Sequence, residues 1–173
     1  MSEDSSDADV DAIDDSDHDS MTELADHVIV LGYGDLVEPI LSELDLSEVP
    51  FIVITAEATV VETLTDRGIR AIAGEPTDEA SLAAAALGQA RAVVAATNDD
   101  AQDALAILTA RRFNPDVRIV AAAVNRENIT KLKRAGASIV ISPARIGGQL
   151  LVRSALGDTG IEELADRILG ESI

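Results

Sequence analysis

The chain has 173 residues, of which 47% are hydrophobic and 2% aromatic, and its formal net charge at pH 7 is −19. The length predicts one domain, and a core of Val, Ile, Leu and Ala suits a parallel β-sheet flanked by helices. Such an acidic surface repels phosphates, so we expect no nucleic-acid binding. No signal peptide or long apolar run is present, so we expect a soluble chain with no direct membrane insertion. The chain contains no cysteine, which excludes disulfides, thiolate metal sites and cysteine nucleophiles.

The acidic charge has two interpretations. It could form an acidic docking face, or it could reflect adaptation to a salty cytoplasm, in which screening weakens self-repulsion. The wide spread of the acidic residues favours the second interpretation, which predicts a halophilic source.

The chain begins with an acidic, Ser-rich segment, residues 1–25, with no hydrophobic periodicity. This composition predicts a disordered tail. His18 in this segment and His27 just beyond it have no partners that indicate catalysis or metal binding.

The first ordered pattern starts at His27. A strand at 28–31 runs into Gly32-Tyr33-Gly34, and an apolar helical period follows near 35–45. A tight turn between a strand and a helix is typical of nucleotide-binding βαβ units, because glycine lets the backbone approach a phosphate near the helix amides. Val37 occupies the position of the third glycine in the G-x-G-x-x-G pattern, which weakens the match.

Short apolar runs and helical patterns alternate along the rest of the chain. They predict a Rossmann-like, doubly wound parallel sheet of six strands in the order 3-2-1-4-5-6, with helices on both faces and a C-terminal crossover helix. The resulting division is a domain at 26–157 and a short C-terminal helix at 158–173. The later strands are predicted at 51–54, 71–73, 92–96, 118–123 and 138–141, and the later helices near 57–67, 78–86, 100–112, 126–135, 143–156 and 161–169.

Ligands of such sheets bind beyond the carboxyl ends of the strands, where several polar residues are expected. After the second strand, Thr55 stands where an acid often holds a ribose, and Glu57 follows two residues later. Glu57 either reaches a ribose or only places charge at a helix N-terminus, and the sequence does not decide between these roles.

Two further strand ends carry candidate residues. Glu75 and Pro76 could border an adenine, or they could form a turn in which Thr77 caps the next helix. Thr97, Asn98 and Asp99 could approach the phosphates or the second half of a dinucleotide, or they could form a helix cap. No Ser/His/acid set, strand-end lysine or catalytic carboxylate pair can be assigned, so we predict that the chain is not an enzyme.

Four segments of the chain are characteristic: GYGDLVEPILSEL, GEPTDEASLAAAAL, ARAVVAATNDDAQDALAILTAR and the stretch from Val117 to Leu156. Together they resemble the RCK N-terminal (TrkA-N) domain of potassium channels and Trk/Ktr-type uptake systems. The resemblance covers roughly residues 27–156. Its most specific part is NRENITKLKRAGASIVISP with the following GGQLLVRS.

The resemblance implies a regulatory subunit or domain that senses NAD(H), ATP, ADP or AMP. It also implies a homodimer or larger ring formed through the 144–156 helix, and a membrane potassium channel or transporter as partner at the cytoplasmic face. The implied phosphate-turn residues are Gly32, Tyr33, Gly34, Asp35 and Leu36, with Thr97 and Asn98 beside them, Glu57 near the ribose and Glu75 and Pro76 near the adenine. The implied dimer residues are Ile146, Leu150, Leu151 and Ser154.

Two other functions compete with this one. A small NAD(P)-dependent oxidoreductase fragment would need a proton donor, and none can be named. A dimerisation module with a decayed nucleotide site is suggested by Val37 and Thr55, which replace a common glycine and a common acid.

Overall fold

A computed structural model of the chain describes residues 24–169. Within them, six parallel strands form one sheet in the order β3-β2-β1-β4-β5-β6, so the predicted fold and strand order are confirmed. Strands β2 and β3 are added on one side of β1, and β4, β5 and β6 are added on the other side. The order therefore reverses between β1 and β4, where Leu31 is in register with Ala95. The strands are β1 (Val28–Leu31), β2 (Phe51–Thr55), β3 (Ala71–Ala73), β4 (Ala92–Ala95), β5 (Arg118–Ala122) and β6 (Ile139–Ile141).

Helices cover both faces of the sheet because successive strand residues point to opposite sides. One face carries Ile29 and Leu31 and packs against α3, α4 and α5. The other carries Val28 and Val30 and packs against α1 and α2. The helices are α1 (Val37–Leu46), α2 (Ala58–Asp66), α3 (Glu79–Ala84), α4 (Asp100–Phe113), α5 (Ile129–Ala135), α6 (Pro143–Ala155) and α7 (Thr159–Leu169), with single 3-10 turns at Leu87–Gln89 and Arg126–Asn128.

Helix α1 begins two residues later than the predicted start at residue 35. Residues 32–36 are used to turn the chain off β1, and the Val37 amide bonds to the Gly34 carbonyl at 3.0 Å. Helix α6 differs from the earlier helices because none of its residues is buried. None of the helices within residues 24–169 combines the length and the apolar character needed to cross a bilayer.

The packed part of the chain starts before the domain boundary predicted at residue 26. Leu24 is buried in the core, the Asp26 amide bonds to the Gln89 carbonyl at 3.0 Å, and the Asp26 carboxylate pairs with Arg91. The predicted disordered tail at 1–25 otherwise lies outside the described residues, as do residues 170–173 at the end of the chain.

Truncation of Leu24 tests this N-terminal boundary. We expect Leu24→Ala to lower the free energy of unfolding by about 2–4 kcal/mol, because it removes buried methyl groups from a packed core. Leu46→Ala is the matched control, since Leu46 is 78% exposed. The control should stay within about 0.5 kcal/mol of the wild type in denaturant titrations. An equally small effect at Leu24 would return the boundary to residue 26.

Candidate functional site

Two features require a glycine at position 32: its backbone conformation and the close approach of Thr97. Gly32 has φ +84°, a conformation that side chains disfavour, and its amide bonds to the Ile54 carbonyl at 2.8 Å. A Cβ atom on Gly32 would lie 2.6 Å from the Cα of Thr97. The turn after β1 therefore packs directly against the backbone that follows β4.

The second glycine meets the next residue of the same β4 turn. A Cβ atom on Gly34 would lie 2.6 Å from Oδ1 of Asn98, which has φ +66°. The structure thus brings Gly32, Gly34, Thr97 and Asn98 together, as the strand-end argument predicted for their segments. The Asn98 amide group occupies the space beside Gly34.

Room for a ligand remains next to these two turns. A crevice of about 210 Å³ is bordered by Asp35, Leu36 and Asn98, by the ends of β4 and β5, and by Pro143 and Ala144 of α6. A larger cavity of about 860 Å³ lies between α1 and the α2–β3 turn. None of the predicted site residues lines that larger cavity, so its size does not make it the candidate site.

Helix α1 begins directly after the glycine turn, so its N-terminus lies beside the same crevice. Its N-cap residue, Leu36, has no side chain that accepts a hydrogen bond from the helix. Of the amides at this end, that of Val37 bonds to the Gly34 carbonyl and Pro39 has no N–H. The Glu38 amide and the partial positive charge of the helix N-terminus remain to suit an anionic group. Val37, at the third-glycine position, is fully buried with β1 and α2 residues. Its side chain is accommodated in the core.

Tyr33 is tied to helices α1 and α2. Its hydroxyl donates to Glu38, and the Arg67 guanidinium donates to both Glu38 oxygens at 2.7 and 3.0 Å. The hydrogen bonds from Arg67 and Tyr33 lower the pKa of Glu38 to about 2. The hydrogen bond to Glu38 raises the pKa of Tyr33. The Tyr33 hydroxyl is therefore engaged within the protein.

At the end of β2, Thr55 is buried and its groups are used locally. Its hydroxyl oxygen accepts from the Glu57 amide at 3.3 Å, and its carbonyl accepts from the Gly74 amide at 2.9 Å. Glu57 is the exposed N-cap residue of α2, but its carboxylate caps no helix amide. The carboxylate thus makes no bond to the helix, and its role toward a ribose stays a prediction.

Glu75 and Pro76, the two residues predicted to lie near an adenine, differ in solvent exposure. Glu75 is exposed and Pro76 is buried, while the carbonyl of Glu75 accepts from the Asp78 amide at 3.0 Å. Asp78, one residue beyond Thr77, is the N-cap of α3, so the alternative in which Thr77 caps this helix is wrong. The role of Glu75 and Pro76 at an adenine stays a prediction.

Two buried carboxylates of α4 were missed by sequence reasoning, and the first is Asp103. Its Oδ1 accepts from the Thr97 amide at 3.2 Å and from the Thr97 hydroxyl at 2.9 Å. Its Oδ2 is buried and has no hydrogen-bond partner among residues 24–169. Burial raises the pKa of Asp103 to about 6, the bonds from Thr97 oppose the rise, and nearby acidic residues add to it.

The second missed carboxylate, Asp100, holds the connection between β5 and α5. Its Oδ1 accepts from the Val124 amide at 2.8 Å, and its Oδ2 accepts from the Asn125 amide at 2.9 Å and Asn128 Nδ2 at 2.8 Å. Burial acts to raise the pKa of Asp100. The hydrogen bonds from this connection outweigh that effect and hold the pKa below its usual range.

A signal for Asp103 was present in the sequence. It lies three, four and seven residues before Ala106, Ile107 and Ala110, which are the buried positions of α4. An acid on the apolar stripe of a helix is a buried acid that needs hydrogen-bond donors. Within residues 24–169, no group of three or more His, Cys, Asp or Glu side chains is arranged to hold a metal ion.

Comparison with known proteins decides the family. The TrkA-N domain model matches residues 28–143. The chain belongs to the TrkA-N domain family. This confirms the resemblance to the RCK N-terminal domain, and the match contains both glycine-turn and β4-turn residues.

Relatives of this TrkA-N chain include proteins named as potassium channels. It is 36% identical over 129 residues to the probable potassium channel protein 2 of Methanocaldococcus jannaschii, an alignment that covers 72% of this chain and 37% of the relative. The chain spans less than half of the length of such channel proteins, 44% for another from the same organism.

Solved structures with the same fold include the TrkA-N domain of inner membrane protein ybaL from Escherichia coli. Its TM-score is 0.72 at 25% identity, covering 76% of this chain and 97% of that one. The GsuK channel bound to NAD has a TM-score of 0.67 at 25% identity, covering 72% and 22% of the two chains. GsuK bound to ADP has a TM-score of 0.64 at 29% identity, covering 77% and 35%.

The raised pKa of Asp103 predicts a pH effect on stability. An acid whose pKa is raised by folding destabilises the native state above its folded pKa of about 6, and this penalty fades as pH falls toward the ordinary value of 3.8. We expect the advantage of Asp103→Asn over wild type to be greater at about pH 7.5 than at about pH 4.5, by about 2 kcal/mol.

Urea titrations at both pH values measure this difference. Asp116→Asn is the control, because it removes the same charge at an exposed site. An advantage of Asp103→Asn that does not change with pH would mean that the Asp103 carboxyl keeps an ordinary pKa.

Proposed function

We propose that this TrkA-N domain is a regulatory module that binds NAD(H), ATP, ADP or AMP at residues 32–36 and controls potassium transport through a membrane partner. The observation that carries the proposal is the packing of Gly32 and Gly34 against Thr97 and Asn98. It sets the N-terminus of α1 at the point where the strand order reverses, which is where doubly wound sheets bind nucleotides.

The ligand class follows from this geometry and from the relatives. An uncapped helix N-terminus recognises phosphate through backbone amides, which does not require a particular base. GsuK, which has the same fold, has been solved with NAD and with ADP. At the β2 end, Thr55 in place of an acid leaves Glu57 as the carboxylate assigned to the ribose, with Glu75 and Pro76 beside the adenine.

The proposed mechanism is regulation without turnover. A bound nucleotide can bias a membrane partner only if it binds more tightly to one state of the assembly than to another. The partner is a potassium channel or transporter, which would place this domain at the cytoplasmic face of the membrane. The channel relatives that the chain matches support this assignment.

Helix α6 supports a dimer as the unit that transmits binding. Ile146 and Leu151 are 48% and 74% exposed, while Leu150 and Ser154 are half-buried. Val152 on the same helix and Leu156 at its C-cap add further exposed apolar area. A helix with exposed apolar residues and no buried ones is suited to pairing with a second copy of itself.

Thermal stability in the presence of nucleotides tests the binding proposal. A ligand at 100 times its dissociation constant should stabilise the fold by about 2.7 kcal/mol. For a domain of this size this gives a rise in Tm of about 5–10 °C. NAD, NADH, ATP, ADP and AMP are compared at high salt, which screens the acidic surface.

The glycine turn provides the matched variants for this assay. Gly34→Val should abolish the rise in Tm, since its side chain would displace Asn98, whereas Gly88→Ala faces open space and should keep it. No rise with any nucleotide in the wild type would refute the sensing proposal. Oxidation of NADH with simple carbonyl substrates would instead favour the oxidoreductase.

Oligomeric state tests the proposed role of α6. We expect Leu151→Asp to convert a dimer into a monomer, because a desolvated charge at an apolar interface is strongly unfavourable. Leu46→Asp on α1 is the matched control, since its side chain is exposed to a similar degree. Light scattering coupled to size exclusion gives the mass. Dimers that persist in Leu151→Asp would place the interface elsewhere.

A further inference from the structure

The crevice beside the glycine turn is too small for a whole nucleotide. Its volume is about 210 Å³. Pockets that enclose a drug-sized ligand usually hold about 300–1,000 Å³. A ligand whose phosphates lie at residues 32–36 could therefore place only one of its parts in this crevice.

The crevice lining favours an uncharged part of a ligand. Ala, Leu, Val and Pro side chains make up most of the wall, and Asp35 is the charged residue among those that border it. A third phosphate would bring negative charge toward the Asp35 carboxylate. A sugar with an uncharged or cationic ring avoids this repulsion and can use the apolar wall.

One wall of the crevice is held in place by Asp100. Val124 lines the crevice, and its amide is bound by the Asp100 carboxylate at 2.8 Å. The same carboxylate binds the Asn125 amide and the Asn128 side chain, each within 2.9 Å. Asp100 is itself buried at the start of α4, directly after the turn that carries Asn98. It therefore joins the β4 turn to the β5–α5 connection.

We propose that Asp100 is a positioning residue that holds the β5–α5 connection as the wall of a subsite for the part of a dinucleotide that extends beyond the phosphate turn. This inference rests on the proposed nucleotide site. The subsite takes a sugar-linked, uncharged or cationic ring and disfavours a further phosphate. Mononucleotides leave it empty.

The subsite also reaches the helix proposed for dimerisation. Pro143 and Ala144, the first two residues of α6, form part of its wall. A dinucleotide would therefore contact α6, whereas ADP held at the phosphate turn would not. This difference gives the domain a physical means to distinguish the two ligand classes at its dimer helix.

Calorimetric titration with ADP, ATP and NAD tests the subsite. We expect Asp100→Asn to weaken NAD binding about tenfold and to change ADP binding by less than about twofold. The amide cannot accept bonds at both of its ends, so the β5–α5 connection loses part of its anchor. Asn128→Ala removes one of the three bonds and should change NAD binding in the same direction by a smaller factor. The Asn128→Ala variant provides the test if Asp100→Asn does not fold.

Two variants separate the subsite from a general effect on structure. Ala144→Leu fills the crevice from an exposed helix position and should weaken NAD binding while it leaves ADP binding unchanged. Asp116→Asn, with the same charge change as Asp100→Asn at an exposed site, should alter neither.

The outcomes distinguish this inference from the proposed function. Equal losses for ADP and NAD, or no loss in either, would assign Asp100 a purely structural role and overturn the inference while the nucleotide site stands. A wild-type protein that binds ADP but not NAD, or that binds ATP more tightly than NAD, would also overturn it. Binding of none of these nucleotides would remove the proposed function itself.

Discussion

The close approach of two backbone turns is the constraint on which the rest of the site depends. Gly32 lies so near the Cα of Thr97, and Gly34 so near the side chain of Asn98, that neither glycine can carry a Cβ atom unless its neighbour moves. The neighbour of Gly32 is backbone, so the strain there cannot be relieved by rotating a side chain. This contact holds the segment that leads into α1, whose first residue is Val37, beside the turn that follows β4. The missing third glycine matters less, because Val37 is buried on the opposite face of the sheet from α4 and fits among the residues of α1, α2 and β1.

Two carboxylates near the start of α4 bind the loops around that contact. Their environments shift their pKa values in opposite directions. Asp100 receives three hydrogen bonds, shared between its two oxygens, which stabilise its charged form despite burial. Asp103 receives both of its bonds on one oxygen, and its other oxygen is buried without a partner in the part of the chain that the structure describes. Burial therefore dominates and raises its pKa. Asp103 is also the more deeply buried of the two, so deeper burial and a smaller set of donors act together to raise its pKa above that of Asp100.

The strand order and the meeting of the first and fourth turns could be predicted from sequence, because buried parallel strands are continuous apolar runs and a right-handed crossover leaves few topologies. Gly32 and Gly34 were found because they lie in a short turn between a predicted strand and a predicted helix. The contacts of Asp100 were not accessible, since its partners at Val124, Asn125 and Asn128 lie in a different βα unit, and no local pattern connects them. The hydrogen bonds that link Tyr33, Glu38 and Arg67 were missed because they depend on the distance between α1 and α2. The halophilic source inferred from the acidic composition stays a prediction.

The proposed sensing role also needs a route from a ligand to a partner, and the arrangement of α6 offers a short one. This helix buries none of its residues against the domain, yet its first two residues border the ligand crevice. Its position is therefore set by contacts at its beginning and by whatever covers its apolar side chains, and only weakly by the core. A ligand that fills the crevice adds contacts at one end of α6, while a second copy of the chain would add contacts along its length. Because both act on the same lightly anchored helix, each can change the affinity for the other, and linkage requires this coupling to be reciprocal.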